Sequence, residues 1–456
     1  MAGLIGLSTG EEYQGNFSEE LFIGALYGQH LGKKYGGLAV TNSESEKEIN
    51  IQTHKGSVRE TFEGEVAEFK GHEGIGYSGS AREPFLVDSG IGKICTCFSG
   101  NILNRLELKS YFLKLGHAFG REGDDIEIIT KLIAQKKDVA EGIKWADAKI
   151  KGAFSLLVLT PNGIYAALSS AGQWPLVLGE KKGAVVVASE SSGFSNLGIK
   201  PLRDVEPGEV VLLSKGEYRT IAYFSKSKRK ICSFYPVYTS FPNDIFHGVP
   251  SSSTRKGLGA AHARVDILNG FIADRITLIP DSGRYHAIGY KEECDRQARL
   301  GIIPREKIPI YDEVLLKYTA AAGRSFILDD KKQREFEAII KILPSSEDYT
   351  GQTTVVCDDS LVRGTQTRSN LVPKLKSLGF SEIHLRFSYP YLFSYCPYGK
   401  TTKRGELLAP LCHSDEEIAR FLGVKSVRFN SIRDIIEASR IPRKNLCFDC
   451  ALRVGL

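Results

Sequence analysis

The chain has 456 residues, enough for two or three domains at roughly 100–200 residues per domain. Its 42% hydrophobic and 25% charged residues are typical of a globular protein, and its apolar runs are far shorter than the roughly 18 residues of a membrane helix, which excludes a transmembrane protein. The net charge of +6 is too diffuse over this length to indicate a nucleic-acid partner, although it suits small polyanions such as phosphorylated metabolites.

The N-terminus and the cysteines indicate the compartment. The first residues, Met-Ala-Gly-Leu-Ile-Gly-Leu, lack the basic flank of a signal peptide, so we expect a cytoplasmic protein. Nine cysteines, an odd number without a secretion signal, argue against a disulfide framework. Metal binding is therefore the better explanation for any group of cysteines.

Short β-prone runs with turn signals fill the first 220 or so residues. We predict strands over 71–79, 93–98, 152–160, 163–168, 184–189 and 209–213, and helices over 18–31, 107–115 and 125–134. This pattern predicts an α+β layered sandwich with antiparallel sheets. The basic, apolar-free residues 225–230 are interpreted as a solvated linker in preference to a nucleic-acid patch.

The second half alternates between the two kinds of element. We predict helices over 264–276, 283–300 and 367–378, and strands over 276–280, 353–357 and 382–387. This βαβ rhythm predicts an α/β domain built on a parallel sheet.

The most informative motif begins at residue 353 and reads Thr-Thr-Val-Val-Cys-Asp-Asp-Ser-Leu-Val-Arg-Gly-Thr-Gln-Thr. It predicts a buried strand, two carboxylates at its C-terminal end, and a turn whose N–H groups and hydroxyls form an anion-binding cradle before a helix. Asp358 and Asp359 repel phosphate, so they suit ribose hydroxyls or a hydrated Mg²⁺. The alternative is a surface strand-turn-helix with a capping pair.

This motif resembles the phosphoribosyl pyrophosphate signature of type I phosphoribosyltransferases. The rest of the chain resembles one family of them, the glutamine phosphoribosyl pyrophosphate amidotransferases of purine synthesis. Matching blocks include Ile-Pro-Asp-Ser-Gly at 279–283, Gly-Arg-Ser-Phe-Ile at 323–327 and Lys-Gly-Ala-Phe-Ser at 151–155. The resemblance implies a glutaminase-like, Ntn-hydrolase-like domain over 2–225 and a phosphoribosyltransferase domain with a cluster-binding tail over 226–456.

The resemblance also assigns roles to residues of the second half. Asp358 and Asp359 would bind ribose and Mg²⁺, with Ser282 helping to hold the metal. Lys317 and Arg324 would act in catalysis. The family's Lys-Asn-Arg-Tyr-Val segment, which precedes Gly-Arg-Thr-Phe, here reads Lys-Tyr-Thr-Ala-Ala-Ala at 317–322, one residue longer and without the arginine. The 5′-phosphate would be held by Ser360, Arg363, Gly364, Thr365 and Thr367.

Four cysteines match the iron–sulfur members of this family. Cys447 and Cys450 form a C-x-x-C that taken alone also fits buried cysteines or a redox pair. With Cys232 and Cys396 they complete the family's ligand pattern, and the resemblance favours a structural [4Fe–4S] cluster over zinc, which also accepts four thiolates.

The family's nucleophile is missing. Relatives open with Met-Cys-Gly-Ile, whereas this chain places Ala2 at the position of the cysteine that attacks glutamine. Gly76 is aligned with the arginine that clamps the substrate carboxylate, and Ser99 replaces the asparagine of the oxyanion hole, whereas Asp125 matches the acid that receives the substrate's amino group. Three losses indicate natural decay in preference to one laboratory substitution.

We therefore expect a Mg²⁺-dependent transferase that uses phosphoribosyl pyrophosphate and accepts ammonia or another amine. One alternative is a non-catalytic regulatory or scaffolding relative that only binds a phosphoribosyl ligand. Another is an ordinary purine-synthesis enzyme whose cysteine was replaced in the laboratory to leave Ala2. The resemblance further implies purine nucleotides as effectors and a homodimer or homotetramer, with neither nucleic acid nor membrane as a partner.

Overall fold

The computed structural model describes residues 1–41, 48–62, 64, 66, 69–121, 124–224, 230–319, 340–396, 398–399, 407–412 and 414–452. Arg324 and residues 225–229 of the predicted linker lie outside the described residues. The chain divides into two compact units. The first holds the described residues of 1–232, 398–399 and 444–447, and the second holds those of 233–396, 407–443 and 448–452.

Two antiparallel sheets form the first unit. Its strands are β1 Gly3–Thr9, β2 Tyr35–Thr41, β3 Ile49–Lys55, β4 Glu73–Gly79, β5 Phe85–Ser89, β6 Gly92–Ile102, β7 Gly152–Thr160, β8 Gly163–Leu168, β9 Val177–Lys181, β10 Ala184–Ala188, β11 Lys200–Asp204, β12 Glu209–Ser214, β13 Glu217–Tyr223 and β14 Ile231–Cys232, which pairs in parallel with β24 Leu446–Cys447. In the described residues one sheet has the order β11-β9-β10-β1-β4-β2-β3, and the other has the order β13-β12-β8-β7-β6-β5.

Helices cover the outer faces of both sheets. They are α1 Phe17–Tyr27, α2 Val58–Phe62, α3 Arg105–Lys114, α4 Asp125–Ala134 and α5 Val139–Lys149. Apolar side chains from β1 and β4 meet those from β6, β7 and β8 in an inter-sheet core. A second core lies between the first sheet and α1 and α2, and a third between the second sheet and α3 to α5. The predicted layered α+β sandwich is confirmed.

One buried carboxyl group joins three parts of this unit. Glu73 Oε1 accepts hydrogen bonds from the Ser8 hydroxyl (3.1 Å) and the Lys215 N–H (2.8 Å). Its Oε2 is buried without a hydrogen-bond partner among the described residues. Burial raises the pKa of Glu73 from 4.5 to about 7, against the lowering effect of these two donors.

This raised pKa predicts a pH-dependent stability. The native state holds the Glu73 proton more tightly than the unfolded chain, so the free energy of unfolding should fall as pH rises from about 4.5 to about 7 and then level off. In Glu73→Gln the fall in the free energy of unfolding between pH 5 and pH 8 should be smaller by about 1–3 kcal/mol. Urea unfolding at each pH measures this free energy. The control Glu217→Gln, exposed on β13, should keep the slope of the unaltered protein. An unchanged slope in Glu73→Gln would contradict this prediction.

A parallel sheet is the centre of the second unit. Its strands run in the order β18-β17-β21-β22-β23 among the described residues, with all neighbours parallel. The strands of this unit are β15 Ile245–Phe246, β16 Val249–Pro250, β17 Arg275–Leu278, β18 Ile310–Tyr311, β19 Leu315–Lys317, β20 Ile342–Pro344, β21 Thr353–Asp358, β22 Glu382–Phe387 and β23 Ser426–Phe429. The helices are α6 Ser251–Leu268, α7 Arg284–Arg299, α8 Val372–Ser377, α9 Asp415–Leu422 and α10 Ile432–Ser439. The predicted α/β architecture is confirmed.

The predicted helix over 264–276 is wrong in its bounds. The helix begins at Ser251 and ends at Leu268, and the chain then turns at Gly270, whose φ of +73° stops the helix. Residues from Arg275 onward belong to β17.

No helix in the described part of the chain is long and apolar enough to span a bilayer.

Candidate functional site

The paired carboxylates stand at the carboxyl end of the parallel sheet. Asp358 is the last residue of β21, and Asp359 follows it directly. Ser282 lies in the loop after the neighbouring strand β17, and its hydroxyl donates to Asp358 Oδ1 at 2.8 Å. Parallel strands end at a common edge, and for this reason two loops far apart in sequence meet here.

Electrostatics distinguish this pair from surface acids. Burial raises the pKa of Asp358 well above its usual value, and the adjacent Asp359 charge raises it further. Burial also raises the pKa of Asp359, although the Ser360 hydroxyl donates to its carboxylate and opposes this effect. A divalent cation would hold both groups ionised, and two carboxylates with a hydroxyl are the oxygen ligands that Mg²⁺ prefers.

The predicted phosphate-binding residues form the turn that follows the diacid. Gly364 has a φ of +70°, which favours glycine, and its carbonyl accepts a hydrogen bond from the Arg368 N–H at 2.9 Å. Arg363 and Thr365 are exposed, whereas Thr367 is buried. The predicted helix over 367–378 is present, with a π-helical first turn at Thr367–Leu371 that continues as α8.

Lys317, at the end of β19, is brought to the same loop as Ser282. Its Nζ lies 2.5 Å from an Asp281 carboxylate oxygen. Asp281 also lies 3.4 Å from Arg284, which makes two hydrogen bonds to Glu313. Sequence reasoning missed the partnership of Asp281 with Lys317, although Asp281 stands inside the Ile-Pro-Asp-Ser-Gly block.

Ala2, predicted to stand at the position of the family's nucleophile, lies in the first unit and belongs to the inter-sheet core. The Ala2 N–H donates to Ser99 Oγ at 3.0 Å, and the Ser189 hydroxyl donates to the Ala2 carbonyl at 3.4 Å. The structure therefore brings Ala2 and Ser99 together, as the resemblance implied. At Gly100 a Cβ would overlap the Ala153 carbonyl, so this position requires glycine.

Gly76 does not face Ala2, and its assignment as the clamp position is wrong on geometry. A Cβ on Gly76 would meet Ile5, Ala25 and Leu38 in the core beneath α1. Gly79 faces the nucleophile position instead, because its Cβ would lie 2.8 Å from the Ala2 Cβ. Strand alternation was the available signal, since residues 75, 77 and 79 share one face of β4 and residues 74 and 76 share the other.

Two buried acids flank the strand that carries Ser99. Glu83 accepts a hydrogen bond from the Phe98 N–H at 2.6 Å, and burial raises its pKa well above the usual value. Asp125, the predicted partner of a substrate amino group, accepts from the Ile102 N–H at 3.4 Å.

Two of the four predicted cluster cysteines are strand neighbours, and the other two lie in neighbouring parts of the chain. Cys232 and Cys447 are direct partners in the parallel β14–β24 ladder. The Cys450 carbonyl accepts from the Phe393 and Ser394 N–H groups, three and two residues before Cys396. All four side chains are partly buried. Among the described residues, no group of three or more His, Cys, Asp or Glu side chains is arranged to hold a metal ion.

Comparison with known proteins agrees with this geometry. Residues 75–196 match the family described as "Glutamine amidotransferase domain". The amidophosphoribosyltransferase of Methanothermobacter thermautotrophicus is 31% identical over 98% of this chain and 93% of its own, and that of Bacillus subtilis is 30% identical over 90% and 84%. The solved glutamine phosphoribosylpyrophosphate amidotransferase from B. subtilis, complexed with ADP and GMP, superposes with a TM-score of 0.85 at 28% identity and covers 98% of this chain and 96% of that one. The predicted family is confirmed: the chain belongs to the amidophosphoribosyltransferases.

Proposed function

We propose that the protein is a Mg²⁺-dependent phosphoribosyltransferase that uses phosphoribosyl pyrophosphate but takes its nitrogen from ammonia or another amine, not from its own glutaminase. The observation that carries the proposal is the pair of half-buried Asp358 and buried Asp359, with Ser282 bound to Asp358. This constellation is complete in the same chain whose nucleophile position holds Ala2. The family's two relatives named above are amidophosphoribosyltransferases.

The reaction requires positioning more than acid–base chemistry. The bond between ribose C1 and pyrophosphate breaks, pyrophosphate leaves with the electron pair, and the amine nitrogen forms the new bond and releases a proton to solvent. Mg²⁺ would stabilise the leaving group. Asp358, Asp359 and Ser282 would hold the metal and the ribose, and Ser360, Arg363, Gly364, Thr365 and Thr367 would hold the 5′-phosphate. Lys317 and Arg324 would neutralise charge on the pyrophosphate.

The test is mass spectrometry of products formed from phosphoribosyl pyrophosphate, Mg²⁺ and a panel of amines that includes ammonia and glutamine. We expect a phosphoribosylated amine with ammonia or another panel member, and none with glutamine. Omitting Mg²⁺ is the matched control. Binding of phosphoribosyl pyrophosphate without turnover of any amine would favour the non-catalytic alternative.

Three further expectations belong to the same proposal. Purine nucleotides are proposed as effectors, since the solved relative is complexed with ADP and GMP. The glutaminase-like domain is proposed to span 2–225 and the transferase domain 226–456. A cytoplasmic location and a homodimer or homotetramer complete the proposal.

We also propose that Cys232, Cys396, Cys447 and Cys450 bind a [4Fe–4S] cluster. Four thiolates satisfy the ligand requirement of such a cluster, and the pairing of Cys232 with Cys447 in the β14–β24 ladder supports the assignment. The role of the cluster would be structural, because no electron transfer occurs in this reaction.

Iron content tests the cluster. Protein purified without oxygen should be brown and contain about four iron atoms per chain. Cys396→Ser should lose the iron and lower the thermal stability, whereas Cys412→Ser, at a partly buried cysteine outside the set, should retain both. Stoichiometric zinc without iron would show that the assignment is wrong.

A further inference from the structure

Tyr77 lies in the inter-sheet core beside the position of residue 2. It is 1% exposed and belongs to the inter-sheet core together with Ala2, Leu4 and Cys97. Its strand partner in β1 is Leu4. The side chain runs along β4 toward the strand end, where its hydroxyl accepts a hydrogen bond from the Ala81 N–H at 3.1 Å.

The tyrosine ring crosses the backbone of Gly79. A Cβ on Gly79 would overlap the Tyr77 hydroxyl and Cζ and would lie 2.8 Å from the Ala2 Cβ. The Tyr77 hydroxyl and the Ala2 methyl group therefore both lie next to the position that a Cβ on Gly79 would take. Gly79 and Tyr77 depend on each other, because any side chain at 79 would displace the ring.

We propose that Tyr77 closes the former glutamine pocket by filling it with a core side chain, so that the amidotransferase half has become a structural domain. This inference rests on the proposed loss of glutaminase activity and identifies Tyr77 as the residue that keeps the pocket closed. A side chain that reached from position 79 toward the carboxylate of an amino acid would need the volume that Tyr77 now occupies. The absence of a nucleophile and the closure of the pocket are thus two separate barriers.

Burial of the ring explains why the closure is stable. An aromatic side chain in a close-packed core stabilises the fold through its large buried apolar surface. The polar end of Tyr77 is satisfied by the Ala81 N–H, so burial leaves no unpaired hydroxyl. Opening the pocket would require removal of this residue, since a rotamer change would leave a void in the core.

A thiol introduced by Ala2→Cys reports on the pocket without any need for glutamine to bind. The measurement is the rate at which methyl methanethiosulfonate, a small neutral reagent, modifies that thiol, read by mass spectrometry of the N-terminal peptide. We expect slow modification in Ala2→Cys and in the matched control Ala2→Cys/Tyr77→Phe, which keeps the ring. Ala2→Cys/Tyr77→Ala should react about tenfold faster or more, because thiol reactivity follows access.

Each outcome separates this inference from the proposed function. Equal modification rates in Ala2→Cys and in folded Ala2→Cys/Tyr77→Ala, with folding judged by circular dichroism, would overturn the closure and leave the proposed function standing. Fast modification in Ala2→Cys alone would also overturn it. Glutamine hydrolysis by Ala2→Cys would overturn both. Tyr77→Leu, which retains apolar packing but stops short of Gly79, replaces the alanine variant if that one fails to fold, with the same expected acceleration.

Discussion

The double substitution Asp358→Asn plus Asp359→Asn should abolish turnover and weaken binding of phosphoribosyl pyrophosphate by about 10²–10⁴-fold. Each charge-assisted contact is worth about 1.5–3 kcal/mol, and asparagine keeps the shape of the side chain but removes the charge that a metal needs. The fold should survive, because both carboxylates have raised pKa values and lose no stabilising charge when neutralised. Calorimetric titration with phosphoribosyl pyrophosphate and Mg²⁺ measures the effect.

Asp348→Asn provides the matched control. Asp348 is an exposed carboxylate in the turn before the same strand, where it accepts hydrogen bonds from the Thr350 N–H and hydroxyl. Its substitution should leave the affinity unchanged. Equal affinity in the double variant and the control would place the substrate elsewhere on the protein.

Ala2→Cys should not restore hydrolysis of glutamine. An ordinary enzyme with one laboratory substitution would recover full activity when its nucleophile returned. In the proposed pseudo-glutaminase, Gly79 would stand at the clamp position and Ser99 at that of the oxyanion-hole amide, with the Tyr77 ring against Gly79 and Ala2 against Ser99. Loss of the clamp alone costs roughly 1.5–3 kcal/mol, or about tenfold to a hundredfold in glutamine affinity.

Release of glutamate, assayed with and without phosphoribosyl pyrophosphate, checks this prediction. The amidophosphoribosyltransferase of B. subtilis, assayed in parallel, supplies the reference rate. Glutamate release by the Ala2→Cys protein, at a rate raised by phosphoribosyl pyrophosphate, would return it to ordinary amidotransferase chemistry.

Periodicity located many elements because their apolar pattern was strong. The helix Asp125–Ala134 and the strands Gly152–Thr160, Gly163–Leu168 and Glu382–Phe387 have the predicted bounds. The diacid strand was recognisable for the same reason, since β-prone residues lead directly into two carboxylates.

The first half of α6 was not predictable from local sequence. Its Ser, Gly and Ala content is typical of a turn, but these small residues allow α6 and α7 to approach closely. A Cβ on Gly259 would overlap the His286 carbonyl, and one on Gly289 would overlap the Lys256 carbonyl. Tertiary packing against α7, which no local pattern encodes, therefore makes this segment helical.

The prediction that Gly76 stands at the clamp position is wrong for a different reason. A gapped comparison of short glycine-rich blocks does not say which face of a strand a residue occupies. Pairing of β4 with β1 decides this, because Leu4 opposes Tyr77 and the chain then places Gly79 beside Ala2. The role of Tyr77 could not be inferred before that register was known.

The ion pair between Lys317 and Asp281 gives the proposed substrate site an internal counterion. A pyrophosphate group that binds Lys317 would compete with the Asp281 carboxylate for the ammonium group, so the lysine would not become an isolated charge when its partner changes. Asp281 keeps Arg284 as a neighbour at 3.4 Å and is not left uncompensated. Binding at Lys317 would therefore be a competition between two anions, and added salt would weaken the Lys317–Asp281 pair as well as the contact with pyrophosphate.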